Sequence, residues 1–343
     1  MYLTANHRVA ILLHDGVKGS HGKTGLAYIR YGQAAIAAII DAQTAGQSLE
    51  KVTGIAKDIP IVADLQAALT YKPDVLLIGM APSGGILSHG LLEEIKQGVK
   101  AGLSVVNGLH TPLAPYFAQS QPQQWIWDIR QEPAGLAIAL AKAQSLSCRR
   151  ILTVGTDMIV GKMSTCLECH GAAQKRGIKS KFLGTGQGGI MIAGEGIPLD
   201  AIRVDFAAGA VEKMVLEAGD THDLLWIEGQ GSLLHPGSTA TLPLIRGSQP
   251  TDLILVHRVG QTQIHNAPQV AIPLLPEVIE LYEQVARVGG ATDPVKVKAI
   301  ALNTFHLEEK EAKKAIESTQ ESTGLPCTDV VRFGGDYLLD HIF

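Results

Sequence analysis

The apolar positions of this chain fall into short runs separated by polar, glycine-rich turns. Between them lie longer stretches with apolar residues at three- and four-residue spacing. Short runs rich in Val, Ile and Leu read as buried strands, and the longer spacing reads as amphipathic helices. In the first part of the chain this predicts strands at 8–14, 52–56, 74–79, 104–107 and 125–129, with helices at 26–45, 64–71 and 91–101. An Ala-rich stretch at 133–147 reads as a joining helix. A second series then predicts strands at 151–154, 181–183, 204–206, 223–227, 252–257 and 297–302. Its helices begin near 161 and cover 209–218, 276–287 and 308–323. Strands alternating with helices imply parallel sheets with right-handed crossovers. The expected division is an α/β domain over 1–147 followed by a second over 148–343.

One junction is specific. The strand at 151–154 runs into GTDMIVGKMST, with Gly155 and Gly161 bracketing the loop and Lys162 opening a helix. This resembles a phosphate-binding P-loop with one residue more than the common GxxxxGK[ST] form. Glycines let successive N–H groups turn inward toward phosphate oxygens, and the helix start adds unpaired donors and a positive dipole end. Lys162 supplies a point charge. Gly155, Thr156, Asp157, Val160, Gly161, Lys162, Met163 and Ser164 are therefore the candidate phosphate or nucleotide contacts. Met163 occupies the place of the usual metal-binding hydroxyl. Ser164 is one residue late, a rotation of about 100° on a helix.

Parallel sheets bind ligands at the carboxyl ends of their strands. Three loops of the first domain lie there. HDGVKGSHGKTG repeats the Gly-x5-Gly-Lys spacing, with Gly16, Lys23 and Thr24 as candidates. The PSGG turn offers Ser83, Gly84 and Gly85, and NGLHT places His110 near the same rim. In the second domain GTGQGG offers Gly186 and Gly188. Each loop reads equally as an ordinary turn, so a substrate or anion role stays open beside a structural one.

Two carboxylates are expected at strand ends beyond the P-loop. Asp205 closes the strand expected at 204–206, and Glu228 ends DLLWIE. Such acids hold Mg²⁺ beside nucleotide phosphates. With Ser164 they form the candidate metal set.

Composition narrows the class. The chain has 343 residues, enough for two cores, and 46% hydrophobic with 18% charged residues fits an α/β protein. A net charge of −4 and scattered basic residues give no nucleic-acid surface. The longest apolar run, 34–40, is far short of a membrane span, and the first, 9–13, is too short for a signal peptide. A cytoplasmic location is expected. Cys166 and Cys169 form a CxxC without a second pair at ligand spacing, so they read as buried packing groups.

GTDMIVGK resembles the GTDxxVGK loop of dethiobiotin synthetase, and IEGQGS resembles that family's VEGAGG segment. The resemblance covers about residues 150–305. It implies ATP as cofactor, Mg²⁺ held by Glu228 and Asp205, and adenine recognition by Asn303 in LNTF. The full chain is similar to a less characterised family, in which a Rossmann-like domain precedes a P-loop domain with GTDxxxGKMT-type loops. There Met163 and Ser164 fit the pattern, and KTGLAYIRYG and the PSGG loop match as well. Members include D-glutamate N-acetyltransferases, which implies acetyl-CoA and a D-amino acid as substrates. The resulting expectation is an enzyme that binds ATP or acetyl-CoA and a small amino-acid or carboxylate substrate. A homo-oligomer is compatible with it. An ATP-dependent carboxylate-activating ligase and a nucleotide-dependent switch are the alternatives. A dehydrogenase is disfavoured, because GxGxxG is missing after the first strand. His235 and Glu228 are the candidate bases for acyl transfer.

Overall fold

The computed structural model describes residues 3–80, 88–117, 121–288 and 295–342. Contacts divide the chain into two compact units. The first comprises Met1–Glu132 and Gln187–Ala201, the second Pro133–Gly186 and Ile202–Phe343.

In the first unit the order is β1 (Arg8–Leu12), α1 (Lys23–Tyr31), β2 (Ala35–Ile40), α2 (Leu49–Thr53), β3 (Ile61–Val62), α3 (Leu65–Leu69), β4 (Val75–Ile78), α4 (His89–Lys100), β5 (Ser104–Asn107) and β6 (Ile126–Asp128). All six strands are parallel, in the order β3-β2-β1-β4-β5-β6. This order reverses direction between β1 and β4, the switch point where Rossmann-like sheets open a crevice. Every residue of β4 is buried, as a central strand covered on both faces requires. In α4 the buried Leu91, Ile95, Gly98 and Val99 make one stripe, and Ser88 caps the start by accepting from Leu91 N.

The second unit holds β7 (Arg149–Gly155), α5 (Lys162–Lys175) and β8 (Ser180–Leu183). The chain next contributes α6 (Gln187–Ala193) to the first unit, then returns with α7 (Val204–Gly219) and β9 (Leu224–Ile227). There follow α8 (Thr241–Ser248), β10 (Asp252–Arg258), a β11 (Gln263–Ile264) and β12 (Ala267–Ala271) hairpin, α9 (Leu275–Val288), β13 (Lys296–Asn303), α10 (Glu309–Thr323), β14 (Cys327–Thr328), α11 (Val330–Phe333) and α12 (Asp336–Ile342). The main sheet is parallel, ordered β14-β13-β10-β7-β9-β8. β7 is central, and Glu228 follows β9 directly beside it.

Four expected elements differ. The helix expected at 26–45 is α1 followed by β2, because Gly32 ends the helix and the next apolar run pairs with β1. The strand expected at 52–56 is the end of α2, capped by Ser48 and stopped by left-handed Gly54. The helix expected at 133–147 is an irregular segment with one 3₁₀ turn. Gly135 and Ala141 adopt positive φ there, and Leu140 N and Lys142 N donate to the Glu212 carboxylate of α7 at 3.0 and 2.6 Å. Gly209 of α7 lies directly against the Ala137 carbonyl, leaving no room for a side chain. These contacts tie 133–147 to the second unit, so the units part at residue 132 and not at 147. The strand expected at 204–206 is the first turn of α7. The buried stripe of Ala207, Val211, Val215 and Ala218 begins just after it, while Val204 and Asp205 are exposed. Among the described residues, no helix is long and apolar enough to cross a membrane.

Candidate functional site

The junction of β7 and α5 is built from buried strand residues, a curled loop and a buried cation. Thr153, Thr156 and Asp157 are fully buried, and Lys162 is 6% exposed. Gly161 takes φ +117°, a conformation that glycine adopts without strain, and it caps α5. Lys162 folds back so that Nζ donates to the Asp157 carbonyl at 2.8 Å. A Cβ at Gly155 would stand 3.2 Å from that Nζ and 2.9 Å from Val160, so glycine is required for the lysine to lie in the loop. Desolvation lowers the Lys162 pKa to about 8, against the attraction of Asp157 and Glu228. The loop thus holds a poorly solvated ammonium at the start of a helix. That arrangement favours a phosphate, whose negative charge would offset the lost hydration.

The carboxylate of Asp157 is a strut. Oδ2 accepts from Gln261 Nε2 at 2.6 Å and His265 N at 2.8 Å, and Oδ1 accepts from Met158 N at 2.6 Å. The P-loop is thereby fastened to the β11–β12 hairpin. Thr156 Oγ1 lies 2.9 Å from His257 Nδ1, and burial lowers the His257 pKa to about 4, keeping the ring neutral at pH 7. Tyr282 OH donates to the Gly155 carbonyl at 2.7 Å and accepts from Leu233 N at 3.1 Å. Met163 and Ser164 stand half-buried in the first turn of α5, and Val160 is fully buried.

Glu228 is 3% exposed, and its charge acts on Lys162. Its Oε2 accepts from Thr185 N at 2.7 Å and Gly186 N at 3.0 Å, which shapes the turn after β8. Gly229 packs against the Thr153 carbonyl and Lys162 Cδ, and its N–H donates to Thr153 Oγ1 at 3.0 Å.

Several candidates stand elsewhere. Asp205 is exposed in the first turn of α7, where a carboxylate complements the helix dipole; it does not end a strand beside β7. Of the two acids expected at strand ends, Glu228 stands at one beside β7 and Asp205 does not. Among the described residues, no group of three or more His, Cys, Asp or Glu side chains is arranged to hold a metal. Asn303 closes β13 beside the loop, but its Nδ2 donates to the Val160 carbonyl at 2.9 Å and Oδ1 accepts from Phe305 N at 3.2 Å. Its amide holds the P-loop turn. Gly186 lies beside Glu228 in the second unit, whereas Gly188 belongs to the first unit. Ser83, Gly84 and Gly85 lie outside the described residues. His235 is half-buried, with Nδ1 accepting from Gly237 N at 3.0 Å. Cys166 and Cys169 are buried free thiols against the sheet, as expected.

Sequence reasoning missed Tyr282, His257, Gln261, His265 and Arg258. Arg258 Nη2 donates to the Ile159 carbonyl at 2.8 Å, and its guanidinium lies 5.7 Å from the ring of Phe305, which is 72% exposed. Only Tyr282 carried a signal, as a tyrosine on the apolar face of a helix, where the hydroxyl needs a partner.

A Rossmann-ordered unit and a unit with a buried glycine–lysine loop on its central parallel strand define a two-unit α/β protein of the P-loop class. The sequence pattern of the DUF1611 Rossmann-like domain, a domain of unknown function, matches residues 42–132, and that of the DUF1611 P-loop domain matches 137–339. The chain belongs to the DUF1611 family. It is similar to a DUF1611 family protein of known crystal structure from Anabaena variabilis, with 61% identity, a TM-score of 0.95, and coverage of 98% of this chain and 99% of that one. It is 36% identical to a D-glutamate N-acetyltransferase of Tritonibacter scottomollicae, over 80% of this chain and 83% of the relative. It is 34% identical to a D-glutamate N-acetyltransferase of a Pseudoalteromonas species, over 78% of this chain and 80% of the relative.

Proposed function

We propose that this protein transfers the acetyl group of acetyl-CoA to the amine of D-glutamate or a similar small amino acid, with the P-loop holding phosphates of the coenzyme. The observation that carries the site is the desolvated Lys162 in its glycine cradle. The relatives' activity, spread over most of both chains, carries the reaction. In this reaction the neutral amine attacks the thioester carbonyl, the C–N bond forms and the C–S bond breaks. The coenzyme leaves as thiolate, and the amine loses a proton to a base. Glu228 is committed to two backbone N–H groups and acts here as a positioning residue. His235 keeps one ring nitrogen beyond its bond to Gly237.

Glu228 also supports a second reading, ATP with Mg²⁺ in a carboxylate-activating reaction, since it lies at the end of the strand beside the P-loop strand. The displacement of Asp205 to an exposed helix start weakens that reading. Isothermal titration of acetyl-CoA, ATP and ADP, with and without Mg²⁺, separates the two. Acetyl-CoA binding that is lost in Lys162→Ala, together with thiol release that requires D-glutamate, supports the transferase. Mg²⁺-dependent ATP binding without acetyl-CoA binding supports the ligase. Absence of every phosphate ligand overturns both.

A further inference from the structure

The rim beside the P-loop carries an aromatic ring that the phosphate reading does not use. β13 ends at Asn303, and Phe305 follows two residues later. The Asn303 amide donates to the Val160 carbonyl at 2.9 Å, and a Cβ at Gly161 would stand 3.6 Å from that nitrogen. Its Oδ1 accepts from Phe305 N at 3.2 Å. β10 ends at Arg258, paired with Asn303 across the sheet. Arg258 Nη2 donates to the Ile159 carbonyl at 2.8 Å, and its guanidinium lies 5.7 Å from the centre of the Phe305 ring. Phe305 is thus joined to the neighbouring loop residues Ile159 and Val160 through two different side chains.

The segment that carries the ring is firmly held. Thr304 is fully buried, and its N–H and hydroxyl both donate to Asp329 Oδ2, at 2.9 and 2.6 Å. Arg332 Nη2 donates to the Thr304 and Leu307 carbonyls at 3.2 and 2.8 Å. Leu307 N closes the turn on the Thr304 carbonyl at 2.9 Å. The ring itself is 72% exposed, and His306 meets it in a T-shaped contact with centroids 5.4 Å apart. A single exposed phenylalanine is ordinary on a protein surface. Here the backbone on both sides of it is pinned, the ring forgoes the burial that would stabilise it, and an arginine stands over it. A ring already fixed in place and open to solvent suits a flat ligand group, because stacking on it costs little further ordering of the protein.

We propose that Phe305 is the stacking platform for the adenine base of the ligand whose phosphates the P-loop holds. This rests on the phosphate reading of Lys162; acetyl-CoA and ATP both carry that base. The ring, and not the Asn303 amide, then holds the adenine, since the amide already holds the Val160 carbonyl and accepts from Phe305 N. Arg258 acts twice, fixing the loop at Ile159 and adding a cation beside the stacked rings. Stacking tolerates many bases, so the ring supplies affinity more than choice.

The test is calorimetry on the full chain, comparing the wild type, Phe305→Ala and Phe305→Trp. The probes are acetyl-CoA, ATP with Mg²⁺, and S-acetyl-phosphopantetheine, which has the acyl arm and a phosphate but no adenine. Because the ring is exposed, neither substitution should shift Tm without ligand. Phe305→Ala should weaken the adenine-bearing ligand by about tenfold or more, the worth of one stacked base, and leave S-acetyl-phosphopantetheine as in the wild type. Phe305→Trp should restore binding, and its added indole emission should change with the adenine-bearing ligand and not with S-acetyl-phosphopantetheine. Acetyl-CoA binding with this pattern assigns the platform to the coenzyme. ATP binding with this pattern and no acetyl-CoA binding keeps the platform and overturns the transferase reading. Equal weakening of the probe without adenine, or no binding of acetyl-CoA or ATP to the wild type, overturns the platform. Acetyl-CoA binding that depends on Lys162 but not on Phe305 overturns the platform alone, so the two proposals fail separately.

Discussion

Replacing Lys162 by methionine should stabilise the second unit while abolishing phosphate binding. The lysine titrates near pH 8 in the fold against 10.5 in an open chain. A pKa difference of one corresponds to about 1.4 kcal/mol, so carrying the charge in the loop costs about 3 kcal/mol below pH 8. Between pH 8 and 10.5 the unfolded chain binds more protons, so the penalty shrinks as pH rises across that window. Lys162→Met keeps the length of the stem and removes the charge. It also deprives the Asp157 carbonyl of one donor, a loss of about 1 kcal/mol. A net gain of about 2 kcal/mol remains. At about 2–4 °C per kcal/mol in a unit of this size, Tm rises by about 4–8 °C at pH 7. Calorimetry without ligand reads this directly, and the gain should fade as pH rises from about 8 toward 10.5. In the wild type a ligand at a hundred times its Kd adds about 2.7 kcal/mol, and the variant should lose that increment. A variant that melts at or below the wild-type temperature at pH 7, or that gains equally at all pH values, would refute the reasoning.

Gly229→Ala places a methyl on the Thr153 carbonyl and 2.9 Å from Lys162 Cδ. It should cost about 2 kcal/mol or more in urea unfolding and remove phosphate binding; a loss under about 0.5 kcal/mol would contradict the close approach. His14 lies 2.9 Å from Glu94, which raises its pKa. This contribution is complete below the unfolded pKa of 6.5 and is lost as pH rises through the raised folded value, so His14→Gln should lower the Tm of the first unit more near pH 5.5 than near pH 8.5. An equal deficit at both pH values would rule that linkage out. Asp205→Asn should change stability by at most about 1 kcal/mol and leave phosphate-ligand affinity as in the wild type, and a tenfold loss of affinity would restore Asp205 to the site.

The P-loop was legible because its geometry is local. An apolar strand, two glycines and a lysine fix the turn, the helix start and the position of the cation within the short span from β7 to Lys162. The position of Glu228 was legible for the same reason, as the first polar residue after a buried strand beside β7. What failed depended on distant partners. The run Ala35–Ile40 is rich in alanine and suits a helix, yet pairing with β1 makes it a strand. Asp205 has the local look of a strand end, yet it stands exposed in the first turn of α7, ahead of the buried stripe that begins at Ala207. The roles of Asp157 and Asn303 were invisible, since their partners stand 104 to 143 positions away along the chain. The extension of residues 187–201 into the first unit has no local signature, because it rests on Asp200 with Arg130 and on Met191 with Gly108.

The most direct measurement of the central claim is incubation of the purified protein with acetyl-CoA and D-glutamate, following free thiol and the acetylated product by mass spectrometry. Both products should appear together, and neither should appear when either substrate is left out. Lys162→Ala should raise the KM for acetyl-CoA by about tenfold or more, on the order of one lost phosphate contact. Full turnover by Lys162→Ala with an unchanged KM for acetyl-CoA would contradict the claim that the P-loop holds the coenzyme. No turnover with D-glutamate or other small D-amino acids would contradict the transferase reading itself.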